Sequence, residues 1–135
     1  METSNASSPV APASMGQVLF VGRGLNFQLA TDQQLTKIFA GTNYKITDII
    51  AVRKTGGASV ACAGGVYDAA SKGGNAIVGV AQSWVTLAAN VNVTATLAAL
   101  VQTTLTSSAT VYLSLTTGST AAVTADVFIF GYVID

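Results

Sequence analysis

Histidine is missing from this 135-residue chain, and charged residues are scarce. Without histidine there is no side chain whose ordinary pKa lies near neutrality, so Ser-His-Asp and Cys-His catalysis are excluded. Only 9% of the residues are charged, against roughly 25% in typical soluble domains, and six basic residues balance six acidic ones. Small polar and apolar residues must therefore form most of the surface, and such a weakly charged surface favours association.

The residues that could still carry chemistry are scattered along the chain. The carboxylates occur singly, with no calcium-loop spacing and no close pair for glycoside hydrolysis, so turn or ion-pair roles are expected. Ser71 and Lys72 are adjacent, which is not the spacing of a Ser-Lys nucleophile pair. The glycine pairs separate predicted strands, which predicts tight turns or close approach of another backbone and no phosphate loop. We therefore expect that the chain is not an enzyme and that it has no catalytic residue, no cofactor and no metal site.

The single cysteine and the short apolar runs exclude further classes. Cys62 has no partner for an intrachain disulfide, and its small neighbours predict a small buried hydrophobe. Polar residues interrupt every apolar run well before the ~18 residues that a spanning helix needs, so no membrane partner is expected. Arg53-Lys54 is the only adjacent basic pair, and the zero net charge predicts no nucleic-acid partner. Residues 1–15 also lack the pattern of a secretory signal.

Both prolines lie in residues 1–15, a segment rich in serine and alanine. This composition cannot bury enough apolar surface by itself to offset the entropy of ordering, so it predicts an extended N-terminal arm. Residues 16–135 contain no proline, as expected of one domain whose strands need every backbone N–H donor.

From residue 17 onward, short apolar or alternating runs are separated by Gly, Asn and Asp, which predicts strands joined by turns. A short helix at Leu97–Val101 is an alternative for part of one run. About eight strands on this length predict an all-β fold, an antiparallel β-sandwich of jelly-roll type. The candidate strands are residues 17–21, 25–29, 34–40, 44–53, 58–67, 75–82, 91–100, 110–116 and 125–134.

Two of these strands have informative patterns. In the first, Val111, Leu113 and Leu115 alternate with Ser114 and Thr116, which predicts a core-facing apolar side and an outward polar side. The last strand is instead apolar on both faces. It must therefore be covered on both sides, and a partner subunit is one candidate for the outer cover.

The aromatic residues are candidates for interface anchors or for stacking on sugars. We expect most of them to pack in the core, with Trp84 as the exception. Candidate contact residues, chosen from the arm, this tryptophan and the last strand, are Pro9, Val10, Pro12, Trp84, Phe128, Phe130 and Tyr132.

Four phrases of the sequence, at residues 44–50, 64–74, 111–118 and 126–131, resemble small head decoration (cement) proteins of tailed bacteriophages. The resemblance implies a β-sandwich or jelly roll, usually a homotrimer, that docks on the major capsid protein at the outside of an expanded capsid, often with an N-terminal arm. It also implies a virion location, with host cytoplasm during assembly.

Two other hypotheses remain open at this point. One is a receptor- or glycan-binding tip of a phage fibre or tail, for which a cleft lined by Trp84 would be the sign. The other is a different head-fibre or tail building block, which would show another ring symmetry.

Overall fold

A computed structural model of the chain describes residues 16–56, 60–85, 87, 92–95 and 107–135. The predicted arm, with Pro9, Val10 and Pro12, lies outside the described residues, and so does the alternative helix at Leu97–Val101.

The described residues form eight β-strands and no helix, which confirms the all-β prediction. The strands are β1 (Gln17–Asn26), β2 (Gln33–Lys37), β3 (Tyr44–Gly56), β4 (Ala63–Tyr67), β5 (Ala76–Val78), β6 (Asn92–Ala95), β7 (Val111–Thr117) and β8 (Val123–Val133). All pairings between these strands are antiparallel, and their order in the sheet is β5-β4-β7-β2-β1-β8-β3-β6.

The sheet bends at β2, which pairs with different neighbours along its length. Gln33–Leu35 pair with β7, whereas Thr36 and Lys37 pair with β1. A strand that changes partners in this way forms a corner between two sheet segments. The long strands β1, β8 and β3 therefore face the shorter β4, β5 and β7, and the sheet curls into a nearly closed, barrel-like shape around one core.

Alternation along β7 and β8 supplies much of that core. Val111, Leu113 and Leu115 are fully buried, which confirms the predicted inner face of this strand. In β8, alternate residues from Val123 to Ile129 are buried and the residues between them are partly exposed. Burying such side chains stabilises the fold by about 1.5–3 kcal/mol each.

Two strands predicted around the Gly22-Arg23-Gly24 sequence are one strand, β1. The register with β8 shifts between Gly22 and Leu25, which marks a β-bulge and not a turn. Gly24 has φ +61°, a conformation that glycine adopts readily. Its N–H donates to the Asp126 carboxylate at 2.7 Å, so a residue 102 positions away holds the bulge within the sheet.

The Gly64-Gly65 pair lies inside β4, where close backbone approach explains it. A Cβ atom on Gly64 would lie 2.3 Å from Leu115 Cα, and one on Gly65 would lie 2.4 Å from the carbonyl oxygen of Val78. Of the two roles predicted for the glycine pairs, close approach therefore applies here. Gly74, with φ +65°, fills the other role in a turn.

Ser114 differs from the prediction of an outward, exposed side chain, since it is fully buried. The Ser114 hydroxyl is the largest influence lowering the Asp32 pKa, although Ser114 Oγ makes no hydrogen bond of good geometry among the described residues. The Asp32 carboxylate accepts a 2.5 Å hydrogen bond from the Ser71 N–H, and so joins the Asp68–Asn75 loop to this site. Contacts from the chain itself therefore cover this part of the outer face of β7.

Candidate interaction surface

The outer face of β8 carries three aromatic side chains in a row. Phe128, Phe130 and Tyr132 occupy alternate positions of the strand and are half-buried, while the residues between them point to the core or are buried. The strand is thus apolar on both faces, as its sequence indicates, and its outer aromatic side chains remain accessible.

Apolar residues of the neighbouring strands extend this row sideways. Phe128 is in register with Val21 of β1 on one side and with Ile50 of β3 on the other. Val18 of β1 is in register with Phe130. All three neighbours are half-buried. We call the resulting patch the outer strip; its members are Val18, Val21, Ile50, Phe128, Phe130 and Tyr132.

A β-bulge in β1 explains how the outer strip and the core both receive apolar residues from one segment. The register shifts between Val18 and Phe20, and consequently Leu19 and Phe20 are both fully buried although they are adjacent. An extra residue at a bulge changes the alternation of side chains. Val18 and Val21 are therefore the residues of this segment that are left to the outer strip.

One end of the outer strip is charged. Asp126 of β8 lies between two cations, with its carboxylate 3.7 Å from Arg23 Nη1 and 4.0 Å from Lys54 Nζ. Each cation sits in a bulge, the first in β1 and the second in β3. Exposed ion pairs of this kind stabilise a fold only weakly, by about 0–1 kcal/mol. Their effect here is positional: the Arg23 guanidinium lies 5.7 Å from the centre of the Phe128 ring.

A groove of about 550 Å³ opens beside the outer strip, where β2 turns away from β1. Val21 belongs to both the groove and the strip. Ile38 is the most exposed large apolar residue of the described chain, with 53% of its surface accessible, and it contributes to the groove. The groove is lined by Val21, Gly22, Arg23, Leu25, Gln34, Thr36 and Ile38.

Trp84 is not part of this surface, and the prediction that it is the exposed aromatic residue is wrong. Its side chain is fully buried. The indole Nε1–H donates to the Gly64 carbonyl at 3.1 Å, and the ring packs edge-on against Phe27 with 5.7 Å between ring centres. A buried partner for the N–H lets tryptophan fill the core without an unpaired donor.

Cys62 lies in the core beside this tryptophan, which confirms the prediction of a buried small residue. The backbone carbonyl of Cys62 accepts a hydrogen bond from the backbone N–H of Trp84 at 2.8 Å. Burial raises the pKa of the thiol to about 11, so at neutral pH it is protonated and a poor nucleophile.

Within the described ranges, no three His, Cys, Asp or Glu side chains are grouped closely enough to hold a metal ion. A helix long and apolar enough to cross a membrane is also not found among these residues.

The structure brings together only part of the predicted contact set. Phe128, Phe130 and Tyr132 share one face, Trp84 is in the core, and the three arm residues lie outside the described chain. Sequence reasoning missed Val21 and Ile50. No local pattern distinguishes them, because their place beside Phe128 depends on strand register.

Comparison with protein-family models, curated proteins and solved structures found no match for this chain. Inference about its function therefore depends on the surface itself.

Proposed function

We propose that this chain is a structural protein that docks on other protein chains through the outer strip, as a decoration (cement) protein on the outside of a tailed-phage capsid. The observation that carries the proposal is the aromatic row on the outer face of β8, flanked in register by apolar residues of β1 and β3. The choice of a tailed-phage capsid as the partner rests on the resemblance of four short sequence segments to head decoration proteins.

The chemistry of the outer strip suits a protein partner. Cores of protein interfaces are enriched in aromatic residues and arginine and depleted of other charges. Here Phe128, Phe130 and Tyr132 form the centre, and Arg23 and Lys54 lie at one end with Asp126 between them. The zero formal charge of the chain adds little long-range repulsion between neighbouring copies on a lattice.

In this proposal the mechanism is thermodynamic. A subunit that binds the assembled shell, and not its free components, stabilises the shell by mass action. Many copies multiply a modest affinity per site. The partners are then the major capsid protein and further copies of this chain in a homotrimer. The location is the virion exterior, after a period in the host cytoplasm during assembly.

A jelly-roll arrangement of the strands belongs to the same proposal. The antiparallel order and the corner at β2 support it, since jelly rolls pack two antiparallel sheets against each other.

The test is co-sedimentation of the full-length chain with purified expanded capsids of its phage. A double variant, Phe128→Ser with Phe130→Ser, removes two outer-strip rings, while Val60→Ser with Val80→Ser removes two exposed apolar side chains outside the strip. Central aromatic anchors of an interface contribute about 2 kcal/mol or more to binding. We therefore expect the dissociation constant of the first variant to be at least about 30-fold larger than that of the unaltered chain. The control should bind like the unaltered chain.

Thermal unfolding of both double variants checks that they are folded at the binding temperature. Unchanged capsid binding by a folded Phe128→Ser, Phe130→Ser chain would remove the outer strip from the proposal. Absence of capsid binding by the unaltered chain, together with binding to host cells or glycans, would favour the receptor-binding tip. That alternative ranks second because Trp84, expected to line its cleft, is buried in the core.

A further inference from the structure

Strands β1 and β2 separate partway along their length and leave a gap between their edges. In the part of the chain that the structure describes, they pair only at Phe20 with Lys37 and at Val21 with Thr36. Beyond this point β2 pairs with β7 on its other edge. The groove of about 550 Å³ lies at this gap and is lined by residues of both strands.

The edge of β2 in the gap carries backbone groups without a partner strand. The Ile38 N–H donates to the Leu19 carbonyl of β1 at 3.0 Å. Alternate residues of a strand direct their N–H and C=O groups to the same edge, so those of Gln34 also point towards β1. No described residue of β1 is in register with Gln34. The groove therefore presents one backbone donor and one backbone acceptor of β2.

An amide group of the chain itself bridges the far end of the gap. The side-chain carbonyl of Gln33 accepts the Asn26 N–H at 2.7 Å, and the Gln33 amide group donates to the Asn26 carbonyl at 2.8 Å. A neighbouring strand would make the same pair of hydrogen bonds with Asn26. The gap thus accepts an amide group at this end, and the part beside Gln34 remains open.

The side chains around the groove combine apolar surface with an unused cation. Val21 and the exposed Ile38 supply apolar surface. Arg23 also lines the groove, and 67% of its side chain is accessible. Its guanidinium lies 3.7 Å from the Asp126 carboxylate and donates no hydrogen bond to a described residue, while Lys54 lies 4.0 Å from the same carboxylate. One carboxylate therefore faces two cations, and the excess positive charge complements an anion.

We propose that the groove binds an extended segment of the docking partner, whose backbone pairs with Gln34, with an apolar side chain against Ile38 and a carboxylate on Arg23. In such strand addition the backbone hydrogen bonds supply affinity and the side-chain contacts supply specificity. The inference rests on the proposed docking function, because it describes the partner of that surface. It does not depend on which particle carries the partner.

Hydrogen exchange in the full-length chain tests the backbone part without any partner. The Leu35 N–H points to β7, where Leu35 is in register with Val111. The Gln34 amide should therefore exchange at least about tenfold faster than the Leu35 amide. Equal protection of the two amides would overturn the proposal, since it would show that the Gln34 N–H already has a partner.

Two end-blocked hexapeptides then replace the partner in nuclear magnetic resonance titrations of the full-length chain. One is Thr-Val-Thr-Val-Asp-Val, and the other has Asn in place of Asp. At low ionic strength the Asp peptide should bind about threefold to fivefold more tightly, as expected of an exposed ion pair, and added salt should remove the preference. Binding should shift the amide signals of Gln34 and Ile38 and slow hydrogen exchange at Gln34.

Variants assign the two side-chain contacts. Arg23→Gln should abolish the preference for the Asp peptide, whereas Lys72→Gln, which removes a cation outside the groove, should keep it. Ile38→Ser should weaken both peptides, and Val80→Ser is its control, because Val80 is 52% exposed against 53% for Ile38 but does not line the groove.

Equal affinities of the two peptides for the unaltered chain, or no shift at Gln34 with millimolar peptide, would overturn the proposal. Tighter binding of oligothymidylate at the same residues would overturn it in favour of a phosphate backbone. Capsid binding by the unaltered chain without peptide binding would contradict this inference alone. Peptide binding as expected, without capsid binding, would contradict only the capsid as partner and would support the groove.

Discussion

On the outer face of β7 Ser114 is completely buried, whereas on the outer face of β8 Phe128 and Phe130 remain partly exposed. Both strands present an apolar inner face to one core, so the difference lies in what covers them from outside. For β7 the cover comes from the chain itself, through Asp32 and the loop that it holds at Ser71. A polar residue on one strand is therefore buried while aromatic residues on another are accessible.

The cover of β7 has a conformational cost. Ser71 and Lys72 have φ +60° and +57°, and such a conformation costs a non-glycine residue about 1 kcal/mol or more. The Gly73 N–H donates to the Ala70 carbonyl at 3.0 Å, which closes the turn, and Asp32 accepts the Ser71 N–H. A long-range hydrogen bond thus offsets local strain at this turn. The outer face of β8 instead carries an aromatic row, which is the proposed docking site of a partner.

The largest expected effect separates the two faces of β8. Ile129→Ala leaves a cavity at a fully buried position and should lower the free energy of unfolding by about 2–5 kcal/mol. Phe128→Ala removes a larger side chain from the half-buried outer face and should lower it by only about 1–2 kcal/mol. Urea unfolding of both variants measures the difference. The reverse order would mean that the outer face of β8 is a second core.

The second prediction concerns the carboxylate that secures the cover of β7. The Ser114 hydroxyl, the Ser71 N–H and the charge of Lys72 hold the pKa of Asp32 below its ordinary value of 3.8. A carboxyl whose pKa is lower in the folded chain contributes stability above the unfolded-state pKa, and this contribution is lost as pH falls through the folded-state pKa. Because solvent screens this accessible carboxylate, Asp32→Asn should lower the free energy of unfolding at pH 7 by less than about 1 kcal/mol.

Unfolding between pH 2 and pH 7 measures this effect, and the difference between Asp32→Asn and the unaltered chain should shrink at the acidic end. The pKa of Asp135 is also lowered, because its carboxylate accepts hydrogen bonds from the N–H groups of Asn43 and Thr42. The stability of the Asp32→Asn variant should therefore still fall at acidic pH. A difference independent of pH would show that the Asp32 charge does not secure the loop.

The smallest expected effect is a gain. Lys72→Gly relieves the left-handed conformation at one turn position and should raise the free energy of unfolding by about 0.5–1 kcal/mol. Lys72→Ala is the matched control, since it removes the same charge but keeps the Cβ atom, and it should bring no gain. Thermal unfolding measures both variants. Equal gains would show that the charge of Lys72, and not its backbone, is unfavourable.

Local alternation in the sequence predicts much of the fold. The period-two pattern of Val111, Leu113 and Leu115 predicts their burial, and the continuous apolar run of β8 predicts a strand with two apolar faces. The absence of proline after residue 12 agrees with the antiparallel ladders, in which backbone N–H groups donate between strands. These predictions succeed because a strand segment without a bulge places successive side chains on opposite faces.

The errors arise where distant residues decide. The Gly22-Arg23-Gly24 sequence has the composition of a turn, yet a hydrogen bond from Gly24 to Asp126 keeps it in the sheet as a bulge. Trp84 follows the polar residues Gln82 and Ser83, yet the space beside Gly64 and Phe27 places its indole in the core. Neither partner is identifiable from neighbours in the sequence.

The sequence by itself determined the class of fold, the inner faces of the strands and the unusual outer apolarity of β8. Only the tertiary structure decided that Val21, Phe128 and Ile50 stand side by side and that Ser114 is buried. Alternation is a property of one strand and can be identified from its residues. Register, bulges and the cover of an outer face depend on contacts between residues far apart in the chain, so they become definite only when the whole sheet is assembled.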